Sequence, residues 1–197
     1  QEEVKDWKEA RGYPLLTWTD ENKICQRELQ LQGNARNALI KRVKESSRID
    51  ILREKLMDGG CAIVILSTIR RAQEFAKEVR SQMPEAQIIL LHSAFLMPDR
   101  AAREQELLQK LGKHSIKAER DHLIVIGTSV LEQSLDIDGD VMLTDLCPMD
   151  LLLQRLGRLH RHPVHDAMRP EQLREAQCYV IAPDEDAFES GTRAIYG

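Results

Sequence analysis

Six consecutive apolar residues, Cys61-Ala62-Ile63-Val64-Ile65-Leu66, follow the break at Asp58-Gly59-Gly60. A run of this length suits a strand, and a strand without polar alternation is buried on both faces. Comparable runs recur at Gln87-Ile88-Ile89-Leu90-Leu91, Leu123-Ile124-Val125-Ile126, Val141-Met142-Leu143 and Tyr179-Val180-Ile181. Helical patterns lie between them at residues 70–82, 99–112 and from about Pro148 to His162. The alternation predicts an α/β three-layer domain, with a mostly parallel central sheet flanked by helices. In such sheets ligands collect at the carboxyl ends of the strands. The loops opening at Ser67-Thr68, His92-Ser93, Gly127-Thr128 and Thr144-Asp145 are therefore the ones expected to matter.

The sequence before this domain has another character. Residues 1–33 read as an irregular lead-in with an apolar patch at Tyr13-Pro14-Leu15-Leu16, and residues 34–58 as helix, broken near Ser46-Ser47. Ser47 followed by Asp50 resembles a capping box. Arg36, Lys41, Arg42, Lys44, Arg48, Arg53 and Lys55 outnumber Glu45, Asp50 and Glu54, which reads as a solvated helix face or a phosphate-facing patch. The expected division is residues 1–58 as lead-in and packing helices, and 59–197 as the domain proper. At 197 residues, 42% hydrophobic and 30% charged, the chain can bury a full core without staples. A net charge of −4 leaves nucleic-acid contact to local patches. No apolar run approaches the roughly 20 residues of a membrane span. The first residues are acidic and polar rather than a secretory signal, and Cys61, Cys147 and Cys178, set among apolar neighbours, read as reduced core residues, so the expected home is the cytoplasm. The chain opens without Met, as a piece of something longer would. Cys25, Cys61, Cys147 and Cys178 are scattered, so no zinc site is expected.

Chemistry concentrates in Gln154-Arg155-Leu156-Gly157-Arg158-Leu159-His160-Arg161. On a continuous helix, Gln154, Arg158 and Arg161 share one narrow face, while Leu152, Leu156 and Leu159 face the other way. Two guanidiniums then stand in a rigid row. They keep their charge at any working pH and match phosphate oxygens as forks. The plainer reading of the same pattern is a salt-bridged surface helix.

The spacing Q-R-x-G-R-x-x-R resembles motif VI of superfamily 2 helicases. Gly127-Thr128-Ser129-Val130-Leu131-Glu132-Gln133-Ser134-Leu135-Asp136-Ile137-Asp138 resembles motif V. The combined wording, with Leu146-Cys147-Pro148-Met149-Asp150 leading into the arginine segment, is similar to the helicase–nuclease of type I CRISPR systems. Ser67-Thr68 with Arg71-Ala72-Gln73 resembles the motif IV region of that family, and Leu91-His92-Ser93 with Asp99-Arg100 matches its layout. The resemblance covers roughly residues 60–183 and, more loosely, the tail 190–197.

It implies the second, C-terminal RecA-like lobe of a two-lobed, ATP-dependent motor that translocates on single-stranded DNA in CRISPR interference. It further implies a nuclease elsewhere in the parent chain and a CRISPR surveillance complex as partner. ATP and Mg would be bound mainly by the N-terminal RecA-like domain of the same parent. The G-x-x-x-x-G-K-[ST] loop such a domain carries is absent here, so this chain alone is expected to be inactive. By resemblance, Arg158 and Arg161 are arginine fingers. Gln154 contacts the same phosphate or its attacking water, and Asp136 accepts hydrogen bonds from the nucleotide ribose. Arg155 either contacts the cofactor or braces the interface. Ser67, Thr68, His92 and Thr128 fall where the family grips DNA, though Thr128 could equally cap the helix that follows. Ala94-Phe95 stands where the family often has a basic residue.

Other constellations are weaker. Asp136, Asp138 and Asp140 alternate as calcium ligands do, but the loop places that need Gly and Glu hold Val141 and Cys147. His160, His162 and His165 read as a solvated edge. A stand-alone binding or regulatory module, and a superfamily 2 helicase of DNA repair, remain as alternatives.

Overall fold

The computed structural model describes residues 6–12, 14–21, 23–29, 37–132 and 135–182. Tyr13 of the apolar patch, Arg36, Gln133-Ser134 of the motif V segment and the tail 190–197 lie outside them. The chain divides into two units, Gln1–Arg36 and Asn37–Gly197.

In the first unit, β1 (Leu15–Asp20) and β2 (Lys23–Glu28) pair antiparallel, with Trp18 opposite Cys25. Glu21 turns the chain with φ at 45°. Within the lead-in expected to be irregular, the described strands therefore pair as a hairpin. Its signal in the sequence was the polar pair Asp20-Glu21 between two strand-length segments.

The second unit is built on a six-stranded, all-parallel sheet in the order β3-β8-β7-β4-β6-β5. The strands are β3 (Ala38–Lys44), β4 (Cys61–Ile65), β5 (Gln87–Leu91), β6 (Leu123–Gly127), β7 (Val141–Asp145) and β8 (Ala176–Ala182). Between them lie α1 (Arg48–Lys55), α2 (Ile69–Gln82), α3 (Met97–Leu111), the single turn α4 (Lys117–Arg120) and α5 (Met149–Leu156). Every residue of β4, β6, β7 and β8 is buried. Ile63, Ile65, Val125, Met142 and Cys178 pack with Leu107 and Leu111 of α3 and Leu152 of α5. Their strand neighbours Ala62, Val64, Ile124, Ile126, Leu143 and Tyr179 pack with Leu52 and Leu56 of α1 and Phe75 and Val79 of α2. This is the three-layer, RecA-like arrangement that the unbroken apolar runs imply. Each buried aliphatic or aromatic side chain contributes about 1.5–3 kcal/mol.

Three local expectations are corrected. Residues 38–44, read as helix, form an edge strand, pairing from Ala38 opposite Ala176 to Lys44 opposite Ala182. Lys41, Arg42 and Lys44 are the solvated charges of a sheet edge, while Ala38 and Val43 pack against the two cores. Ser47 makes no side-chain cap, because it already has helical φ and ψ within a 3-10 turn over Glu45–Ser47. The helix expected to reach His162 stops at Leu156. Beyond it the Gly139 N–H donates to the Arg158 carbonyl (2.8 Å), and the His160 N–H donates to the Gly139 carbonyl (3.0 Å). A Cβ on Gly139 would lie 2.8 Å from Ile63 Cδ1, so a larger residue there would need the Ile63 side chain to shift for the two segments to meet over the sheet.

Candidate functional site

The candidate residues fall in two groups. Ser67, Thr68, His92 and Thr128 lie at the carboxyl ends of β4, β5 and β6, beside Asp145, the last residue of β7. The Ser67 N–H (2.7 Å) and hydroxyl (2.8 Å) both donate to Asp145 Oδ2. Arg71 grips the same carboxylate through Nε and Nη2, each at 3.0 Å, and also pairs with Glu45 at 2.9 Å. Asp145, Arg71 and Glu45 therefore organise this rim; Asp145 opens a loop expected to matter and Arg71 lies in the motif IV segment, but none of the three was among the expected site residues. The Thr-Asp ending of an apolar strand was the available signal for Asp145. Thr68 caps α2, its hydroxyl oxygen accepting from the Arg71 N–H at 3.2 Å. That leaves the Thr68 hydroxyl proton available to donate, whereas the Ser67 proton is spent on Asp145. Thr128 is buried. Its N–H donates to the Leu91 carbonyl (3.4 Å), and its carbonyl accepts from the Leu131 N–H (3.0 Å).

His92 does not face solvent. It is 4% exposed and stacked on Phe95 at 4.2 Å between ring centres. Its Nε2 lies 3.2 Å from the Gln73 amide nitrogen, so Nε2 accepts, and burial lowers its pKa. The imidazole expected to contact DNA is therefore enclosed rather than presented to solvent. The other face of Phe95 is covered by the Arg103 guanidinium at 4.5 Å. With both faces occupied, Phe95 offers no platform for a base.

The second group is the arginine segment. The row expected along one helix does not form, because Gln154 sits on α5 while Arg158 and Arg161 lie past its end. The arginines still come together. Burial first, and then the proximity of Arg161, lowers the Arg158 pKa, with Asp136 opposing. Arg158 Nη2 donates to the Glu132 carbonyl at 2.8 Å. Arg161 Nε donates to Asp136 Oδ1 at 2.6 Å, and the pair is open to solvent on both sides, at 39% and 54% exposure. The same hydrogen bond holds the Asp136 carboxyl below its ordinary value. On α5, Gln154 is exposed, Leu152 buried and Leu156 partly buried, while Leu159, past the helix end, is buried beside its bridge to Gly139.

Arg155, considered for a cofactor contact, is 1% exposed. It pairs with Glu132 (2.6 Å) and donates to Thr144 Oγ1 (2.5 Å) and the Asp145 carbonyl (3.0 Å). It braces the strand-end rim to the arginine segment from inside the fold.

Beneath the arginine segment lies a buried charge cluster. Asp138 and Asp140 face Arg120 and Arg169, with His165 between them. The histidines read as a solvated edge are thus buried, His165 completely. The cluster sits at the amino ends of β4 and β7, where Asp140 Oδ2 also accepts the Cys61 N–H at 2.9 Å. The alternating aspartates serve one device. Asp136 holds the Arg161 side chain, Asp138 Oδ1 accepts the Arg161 N–H at 2.8 Å, and Asp140 anchors the sheet.

Known proteins share this sequence and fold. The profile of the family described as CRISPR-associated nuclease/helicase Cas3, C-terminal, matches residues 58–164, just over half of the chain. The chain is 42% identical to the CRISPR-associated nuclease/helicase Cas3 of Streptococcus thermophilus over 94% of its length, spanning 20% of that protein. Crystalline T. fusca Cas3-AMPPNP superposes with a TM-score of 0.76 at 27% identity, covering 88% of this chain and 22% of that one. A chain of the CRISPR RNA-guided surveillance complex, pre-nicking, gives 0.76 at 26% identity over 94% of this chain and 24% of its own. The chain thus spans about a fifth of the length of these relatives. On the sheet order, the arginine segment and the profile match together, it belongs to the Cas3 C-terminal helicase family.

Proposed function

We propose that this chain is the second RecA-like lobe of an ATP-driven helicase that moves on single-stranded DNA, acting with a nuclease carried elsewhere in the parent chain. The observation that carries the reading is the adjacency of Arg158 and Arg161. Arg158 Nη2 is held by a carbonyl and its buried Nε has no hydrogen-bond partner among the described residues, while Arg161 stands exposed beside Asp136, so the two guanidiniums form a site that gains from an arriving anion. The Arg161–Asp136 pair is exposed, so little opposes exchange of the carboxylate for a phosphate oxygen.

The residues present fit one side of a nucleotide. Arg158 and Arg161 would face its terminal phosphate as fingers, Gln154 would reach the same phosphate from the end of α5, and Asp136, once released, would accept from the ribose. No phosphate-cradling loop is present in the sequence, so the N-terminal RecA-like domain would hold ATP and Mg. Bound ATP supplies the phosphoryl transfer whose transition-state charge the fingers stabilise. On the rim, the Thr68 hydroxyl would contact a DNA backbone, its loop held by the Asp145–Ser67–Arg71 network, and the buried Thr128 would contribute only if its loop opened. Such contacts grip without reading bases, which suits a translocating motor. The pre-nicking relative supports a CRISPR surveillance complex as partner.

The test is ATP turnover by the full-length protein with DNA present. Arg161→Ala is expected to lower kcat by roughly 10³-fold or more. Unchanged turnover in a folded variant removes the finger assignment. The chain by itself is expected to show no Mg-ATPase activity.

A further inference from the structure

Arg169 lies beyond residues 58–164 that the family profile matches, and 4% of it is exposed. Its guanidinium reaches three carboxylates. Nη2 donates to Asp138 Oδ2 at 2.8 Å, Nη1 donates to Asp140 Oδ1, and Nε lies 3.4 Å from Asp166 Oδ1. Asp138 is wholly buried, and its two oxygens divide the work. Oδ2 takes Arg169 and His165 Nδ1, the latter at 2.5 Å, while Oδ1 takes the backbone N–H of Arg161 at 2.8 Å. Arg161 is past the end of α5, so no helical hydrogen bond fixes its main chain there.

We propose that Arg169 is a positioning residue for Arg161, acting through the buried Asp138 carboxylate. A buried carboxylate that faces a fixed cation cannot turn away from it. Its free oxygen then becomes a rigid acceptor for the Arg161 N–H. Arg120 supports the same arrangement from α4, donating to Asp140 Oδ1 at 2.6 Å. The finger is thereby aimed from below, by residues that touch neither nucleotide nor DNA. The proposal rests on the assignment of Arg161 as a finger. Lysine at position 169 would keep the charge but lose the planar fork that fixes the carboxylates in direction, so it should aim the finger less well than arginine and better than glutamine.

The experiment is a double-mutant cycle on DNA-stimulated ATP hydrolysis by the full-length protein, with thermal unfolding recorded in parallel. Arg169→Gln is expected to lower kcat by about 10²-fold with KM for ATP little changed, since a displaced finger weakens the transition state more than the ground state. Arg169→Lys should fall between the two, and it carries the test if the glutamine variant does not fold. In an Arg161→Ala background neither change should lower kcat further. Hydrogen exchange at the Arg161 amide should quicken in both variants. Multiplicative losses, or wild-type kcat with only a lower Tm, would overturn the positioning role while leaving the finger intact. If Arg161→Ala itself leaves kcat unchanged, the finger assignment fails instead.

Discussion

Gly127 closes β6, and there is no room for anything larger. A Cβ would lie 2.4 Å from the Leu91 carbonyl oxygen and 2.8 Å from Leu131 Cδ1. The first of these is backbone within the sheet and cannot yield, so Gly127→Ala is expected to destabilise by about 1–3 kcal/mol, read by urea denaturation. Next to it, hydroxyl accounting separates two residues that look equivalent in the sequence. Ser67 has spent its proton on Asp145, while Thr68 has kept its own. If DNA is gripped by hydroxyl donors, Thr68→Val should weaken single-strand binding by the full-length protein more than Ser67→Ala does. The Asp136 carboxyl gives a pH signature. Its pKa is lowered from 3.8 on folding, so its pair with Arg161 stabilises above the ordinary carboxylate value and is lost as pH falls through the lowered one. Asp136→Asn should therefore cost a little stability at neutral pH, and the difference should vanish in strong acid. The motif residues were legible because their types state their chemistry. Asp145 and Arg169 were not, because a carboxylate or guanidinium shows its partners only once strands distant in sequence lie side by side.

At the scale of elements, the apolar strands announced themselves and the charged one did not. Continuous apolar runs mark β4, β6, β7 and β8, which are central and fully buried, and also β5, the partly buried edge opposite β3. β3 is rich in Lys and Arg, and its pairing partner begins 138 residues later, with Ala38 opposite Ala176. No local pattern carries that information. The end of α5 misled for a related reason. Helical spacing continues through Arg161, yet the pairing of Gly139 with Leu159 draws the chain off the helix. Propensity gives way to tertiary contact there. Thr68 at the start of α2 allows a clean test. Thr68→Ala should cost about 1 kcal/mol by loss of the cap, and Thr68→Ser should restore most of it.

For the molecule as a whole, β3 bears on where the domain begins. The division expected at residue 59 separates β3 from β8, whose seven residues are all buried. We propose that a chain starting at Asn37 keeps the cooperative unfolding of the whole, whereas one starting at Gly59 exposes β8 as an apolar edge and aggregates. Light scattering alongside thermal unfolding distinguishes them. Among the described residues, no helix is long and apolar enough to cross a membrane.

The sequence by itself determined the layered α/β class, the order of the buried strands along the chain, and the resemblance carried by the arginine segment. These depend on local composition and on side-chain chemistry that does not change with context. Tertiary structure alone decided that Arg155 is enclosed, that Arg158 and Arg161 stand beyond a helix, and that Arg120, Asp138, Asp140, His165 and Arg169 share one buried cluster. Charges are written into a sequence one at a time, but which of them neutralise each other is set by the packing that brings their elements together.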